Sequence, residues 1–137
     1  MKFITVRQPY AALLVSGRKT IERRPTDTSY RGLLAIHAGK KQLEVPEAFQ
    51  HELKTLPPKL LAARGCVIGV VELVDVRLAT EDDRDAMLAD PEVGQRRRAW
   101  LVSGARALSD FLPLRGLQGI RELPKELVAQ IERQLAV

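Results

Sequence analysis

The segment Cys66-Val-Ile-Gly-Val-Val-Glu-Leu-Val-Asp-Val-Arg-Leu78 is almost continuously apolar and β-branched. A run of that kind predicts a central strand buried on both faces, so the chain has to build a sheet around it and cover that sheet on two sides. Two carboxylates interrupt it. Counting by twos places Cys66, Ile68, Val70, Glu72, Val74, Val76 and Leu78 on one face. Glu72 is then expected among apolar neighbours, where a carboxylate needs a cation, a hydrogen-bond donor or a proton, unless a bulge shifts the register. Asp75 falls on the other face with Arg77 and is expected at the surface.

The remaining chain supplies partners for that strand. Lys2 to Val6, Lys19 to Arg24, Leu33 to Ala38 and Ala99 to Leu108 read as strands, and the turn Leu114-Arg-Gly-Leu-Gln-Gly-Ile-Arg121 returns into a last one. Pro9 to Ser16 reads as a helix with proline at its start and Gly17 at its end. Pro46 to Lys54 has the helix formers and spaced apolar residues of a second, and Pro57-Pro58 separates it from a turn over Lys59 to Ala63. The acidic run from Glu81 to Asp85 predicts the start of a solvated helix, and Pro124 to Leu135 places Leu127, Val128, Ile131 and Leu135 on one helical face. Strands scattered among helices of unequal length predict an α+β fold with a mixed sheet or small barrel; a doubly wound sheet would alternate more regularly. At 137 residues the chain is expected to form a single domain over 1–137.

Charge narrows the class of partner. The net charge is +5, yet residues 1 to 41 alone hold nine Lys/Arg against two acids, a net of +7. A basic excess concentrated in one part of a fold attracts phosphate, most strongly where it lines a groove. The single cysteine, Cys66, excludes an internal disulfide and reads as a buried small hydrophobe. With no bilayer-length apolar run and no signal-peptide pattern, the expected location is cytoplasmic, with no membrane partner. No GxGxxG, phosphate loop or zinc-ligand spacing occurs, so neither a metal nor another cofactor is expected. His37 and His51 lack an evident nucleophile partner, and His37 in an apolar strand reads as structural or groove-lining.

The densest local signal is Gly17-Arg-Lys-Thr-Ile-Glu-Arg-Arg24, a GxKxxExR pattern at the exit of the first helix. As a strand it would place Lys19, Ile21 and Arg23 on one face and Thr20, Glu22 and Arg24 on the other. Taken alone it describes a solvated, salt-bridged edge strand, since exposed charge clusters are common and contribute little to stability.

In order along the chain stand Val6-Arg-Gln-Pro-Tyr10, the GxKxxExR stretch with Gly17, Lys19, Glu22 and Arg24, Tyr30-Arg-Gly32, Leu34-Ala-Ile-His-Ala38, Trp100 and Leu114-Arg-Gly-Leu-Gln-Gly-Ile120. This succession resembles the ASCH domain, named for homology to activating signal cointegrator, over nearly the whole chain. The resemblance implies a PUA-like small mixed β-barrel with peripheral helices and a cleft lined by the hallmark residues. It also implies a nucleic-acid ligand, although some small bacterial members are amidohydrolases of acetylated cytidine or ribonucleases, and fold alone does not select among these.

Two functions follow as expectations. In the first, the chain binds single-stranded RNA or a nucleotide-like ligand. Arg7, Lys19, Arg24 and Lys40 contact phosphate, Glu22 orients the cations or accepts from a base edge, and Tyr10 or Trp100 stacks a base. Core packing is the alternative for both aromatics, and the favoured one for Trp100, flanked by Ala99 and Leu101. In the second, the chain is a hydrolase acting on a modified nucleoside. Lys19 serves as base or polarising group, Thr20 or Glu22 positions water and Glu72 shuttles a proton. The amidohydrolase members carry threonine where this chain has Glu22, and they lack an insertion like Lys40 to Ala63, which is expected to cover or reshape the cleft. Glu72 has an alternative as half of a buried ion pair.

Overall fold

A computed structural model describes residues 1–136. Its strands are β1 (Lys2–Gln8), β2 (Ile21–Arg24), β3 (Gly32–Gln42), β4 (Cys66–Leu78), β5 (Arg98–Pro113) and the short β6 (Arg121–Glu122). They form one sheet in the order β2-β5-β4-β3-β1-β6, with β1 and β3 parallel and every other pair antiparallel. The sheet curls into a half-barrel of the PUA-like type. Because β2 and β6 end the order without pairing each other, the expected barrel is open.

Among the described residues there are four α-helices, and the first and last cover the two faces of the sheet. Helix α1 (Tyr10–Val15) is buried along its whole length on the concave side, where it packs with Ile4, Ile36, Ile68 and Leu73. Gly17 ends its last turn with φ +80°, a left-handed conformation that glycine adopts without a Cβ clash. On the other face, α4 (Lys125–Leu135) lays Leu127, Val128, Ile131 and Leu135 over Phe3, Val67, Val70 and Leu112, the stripe its sequence predicts. The central strand is buried on both faces only from Cys66 to Val71; beyond it Val74 and Leu78 are exposed.

The register of that strand differs from simple alternation. Ile36 of β3 pairs with Gly69 whereas His37 pairs with Val67, so one extra residue of β4 bulges between them. Cys66 and Ile68 face the α1 core, and after the bulge Val71 and Leu73 do so, while Val67 and Val70 face α4. The parity change turns Glu72 outward: it is exposed, and its expected burial among apolar neighbours is corrected.

Three local expectations also change. Pro46 to Lys54 forms a 3-10 turn over Glu47–Leu53, in which only Phe49 is buried, too little apolar contact to hold an α-helix. The turn after Pro57 is instead the short helix α2 (Pro58–Ala62). The acidic run forms a 3-10 turn, Glu81–Asp83, leading into α3 (Arg84–Met87), and Asp83 is buried, not solvated. Its carboxylate accepts from Arg77 Nη1 at 2.8 Å and Nη2 at 2.7 Å, and from the Thr80 backbone N–H at 2.8 Å. The Arg77 hydrogen bonds hold its pKa below the ordinary 3.8, so this stabilisation is present above that value and is lost as the pH falls below it. Asp83→Ala is expected to cost about 1–2 kcal/mol in urea unfolding at pH 7, the loss of a helix cap and a charge-assisted bidentate pair. A loss near zero would mean that Arg77 and Thr80 find water as readily.

Among the described residues, no helix is long and apolar enough to cross a membrane.

Candidate nucleic-acid cleft

The charged stretch does not behave as an exposed edge strand. Its strand begins only at Ile21, and Lys19 lies in the turn before it, held by a bond from its own N–H to the Leu13 carbonyl at 3.0 Å. That turn frees Lys19 from the alternation and brings its side chain to the Glu22 side. Lys19 is 2% exposed and Glu22 8% exposed. Lys19 Nζ donates to the Met87 carbonyl, lies 3.6 Å from Glu22 Oε1 and sits 4.7 Å above the Tyr10 ring. Glu22 Oε2 is in turn 3.4 Å from Arg24 Nη1, which also reaches the Thr5 carbonyl at 3.4 Å. A chain of charges, Lys19 to Glu22 to Arg24, thus runs through a largely dry region. Burial is the main reason the Lys19 pKa falls to about 8; Glu22 opposes the shift, and Arg23 adds to it.

This chain of charges forms the floor of a cleft of about 500 Å³ between β1, β2 and the segments 89–97 and 118–119. Tyr10 is anchored by its hydroxyl donating to the Leu88 carbonyl at 2.9 Å, and its burial raises its pKa. Arg7 lines the cleft, is exposed, and has no ion-pair partner among the described residues. Arg23 and Arg97 share Glu92, at 3.4 Å and 3.0 Å. Glu92 and Arg96 both adopt left-handed backbone, φ 52° and 55°, a local cost that the Arg23–Glu92–Arg97 bridge helps to hold. Five cations therefore line the cleft against two carboxylates, Glu22 and Glu92.

One wall is strapped down from below. His37 Nε2 donates to the Leu114 carbonyl, and the Leu117 N–H donates to Thr5 Oγ1 at 3.3 Å, which positions Gln118 and Gly119 at the cleft. A Cβ on Gly116 would stand 3.1 Å from the His37 ring, so this close crossing needs glycine for its size. His37, buried beneath the strap with its pKa lowered chiefly by burial, supports the wall without lining the cleft.

Of the residues singled out from sequence, Arg7, Tyr10, Lys19, Glu22 and Arg24 converge on the cleft. Three do not. Trp100 is 1% exposed, with its Nε1 donating to the Thr26 carbonyl at 3.0 Å; it supports Arg24, whose guanidinium lies 5.7 Å from the ring, and offers no face to a base. Lys40 is exposed with its stem near Gly65, and Glu72 is exposed on β4; neither lines the cleft. The insertion from Lys40 to Ala63 packs mainly away from the opening. Gln8 clamps it by donating to the Leu60 and Ala63 carbonyls at 2.8 Å and 3.1 Å, and only Leu43 reaches the cleft. Sequence reasoning missed Arg23, Glu92 and Arg97. The run Arg96-Arg97-Arg98 was the available signal, but its meeting with β2 depends on long-range pairing.

Comparison with known proteins agrees with this architecture. The sequence profile of the ASCH domain matches residues 4–110. The fold is similar to that of the ASCH protein from Zymomonas mobilis, with 17% identity and a TM-score of 0.65, covering 96% of this chain and 93% of that one. Two point mutants of that protein align with the same identity and coverage of this chain, at TM-scores of 0.65 and 0.64 over 96% and 94% of theirs. Comparison with curated protein sequences finds no match.

Proposed function

This chain belongs to the ASCH domain family, and from that premise we propose that its cleft takes one phosphate-bearing unit of a single-stranded RNA. The observation that carries this reading is the convergence of Arg7, Lys19, Arg23, Arg24 and Arg97 on one concave surface with only two carboxylates to neutralise them. A volume of about 500 Å³ suits a ligand of nucleotide size better than a duplex. Arg7 and Arg24 are the phosphate contacts, Glu22 holds Lys19 and Arg24 in place, and the Tyr10 ring with Leu43 supplies the apolar flank for a base. Arg7→Ala with Arg24→Ala is expected to weaken binding of a labelled single-stranded RNA at least tenfold in fluorescence anisotropy. The double variant should also flatten the salt dependence by roughly 0.7 in log–log slope for each phosphate that is no longer neutralised. Unchanged affinity and slope would refute the reading.

A second reading rests on Lys19. An ammonium buried beside a carboxylate, with its pKa brought to about 8, has the properties of a group that moves a proton near neutral pH. That favours cleavage of the bound RNA or hydrolysis of a modified nucleoside such as acetylated cytidine. Running the anisotropy samples on a denaturing gel, and assaying acetate release, separates binding from turnover.

A further inference from the structure

The ladder between β2 and β5 pairs Glu22 with Trp100 and, two residues on, Arg24 with Arg98. Directly opposed residues share a face, with Cβ atoms about 5 Å apart, and like charges so placed destabilise the pair. Among the described residues one carboxylate, Glu22, offsets this pair, and only on the Arg24 side, at 3.4 Å. Arg24 shares Glu22 with Lys19, and no carboxylate of the described residues lies within 4.0 Å of Arg98, which is partly exposed. On its other side Arg98 pairs with Leu78, an apolar side chain 40% exposed. Arg24 lines the cleft and Arg98 does not, so the pair straddles its edge.

We propose that Arg24 and Arg98 together form a second phosphate subsite at the mouth of the cleft, where a phosphodiester bridges the two guanidiniums. The inference rests on the reading of the cleft as an RNA site and deepens it: the ligand is a strand of at least two nucleotides, one seated inside and its neighbour leaving over Arg98 and Leu78. An anion between the two arginines turns a repulsive cross-strand pair into two charge-assisted contacts, which the protein alone does not supply. Arg98 acts on the chain that continues outside the cleft, so a lone nucleotide would not engage it.

The test compares the four nucleoside 5′-monophosphates with a labelled single-stranded RNA hexamer of mixed sequence, on the native protein, Arg98→Ala, Arg98→Lys and Arg24→Ala. Arg98→Ala is expected to weaken the hexamer about tenfold and to reduce its log–log salt slope by roughly 0.7, while monophosphate binding is unchanged. Arg98→Lys is expected to keep the slope. The unliganded Arg98→Ala protein is expected to melt no lower than the native one, because a repulsive pair has been relieved. If Arg24→Ala weakens the hexamer but Arg98→Ala does not, the cleft stands as an RNA site and the second subsite is overturned. Equal weakening of monophosphate and hexamer by Arg98→Ala would overturn it too, by placing Arg98 within the cleft, as would a lowered melting temperature that gives Arg98 a structural role. If the native protein binds neither ligand, the RNA reading and this inference fall together.

Discussion

Lys19→Met is expected to weaken RNA binding several-fold, by leaving Glu22 less neutralised on the cleft floor, while changing stability at pH 7 by less than about 2 kcal/mol. The buried ammonium is costly to hold. Lys19 is 2% exposed, and its pKa falls from 10.5 to about 8 even with Glu22 3.6 Å away, so the charge is held against a net penalty. A shift of that size corresponds to about 3 kcal/mol. Methionine removes the penalty with a side chain of similar length, but leaves the Met87 carbonyl without its donor, a loss of about 1–3 kcal/mol. The two nearly cancel. Glu22 is not left alone, because Arg24 remains at 3.4 Å.

The same buried ammonium makes stability depend on pH. Between about pH 8 and 10.5 the unfolded chain keeps the Lys19 proton while the folded chain has released it. The unfolded state then binds more protons, so native stability rises through that window by up to about 3 kcal/mol relative to Lys19→Met, which lacks the titration. Urea unfolding of both proteins at pH 7 and pH 10, beside anisotropy at pH 7, measures it. A variant destabilised by more than about 4 kcal/mol at pH 7 would make the Lys19–Glu22 pair a structural element first. Retained RNA affinity would remove Lys19 from the binding surface.

Gly69→Ala is expected to destabilise the protein by about 3 kcal/mol or more. Gly69 occupies the bulge where β4 changes parity, beneath α1. A Cβ there would stand 2.5 Å from the Arg106 carbonyl oxygen and 2.6 Å from Val15 Cβ. Neither neighbour is the free end of a flexible chain: one is backbone of β5, and the other is a β-branched residue of α1. Relief requires α1 to lift from the sheet, and α1 carries Tyr10 into the cleft. A fall in the urea midpoint with an unchanged slope would report lost stability without loss of two-state unfolding. A cost below about 1 kcal/mol would show that the bulge slides to accept the methyl group.

The parts of the fold legible from the chain are those set by local pattern over enough residues. The apolar run of β4, the proline-to-glycine span of α1 and the spaced stripe of α4 each stand where the sequence predicts them. The errors fall where one residue of offset decides the outcome. Period-2 counting through Gly69 puts Glu72 inside, because a bulge is created by pairing with β3 and leaves no mark beyond an ordinary glycine. Alternation gives Lys19 the face opposite Glu22 for the same reason in reverse: a turn, not a strand, precedes Ile21. Trp100 lacks a free face because Arg24 at the end of β2, Thr26 just beyond it and Val76 from β4 close over it from two segments distant in the chain.

Residue identity, order and short-range periodicity were enough to establish the family, the mixed α+β class and a basic hallmark containing Lys19, Glu22 and Arg24. The folded arrangement was needed to learn that those charges are buried and linked, that Arg23, Arg97 and Glu92 complete the same cleft, and that Arg24 faces Arg98. The physical reason is that burial and charge pairing are properties of the space between segments. Residues as distant in the chain as Arg24 and Arg98 come to share a face only when β2 docks on β5.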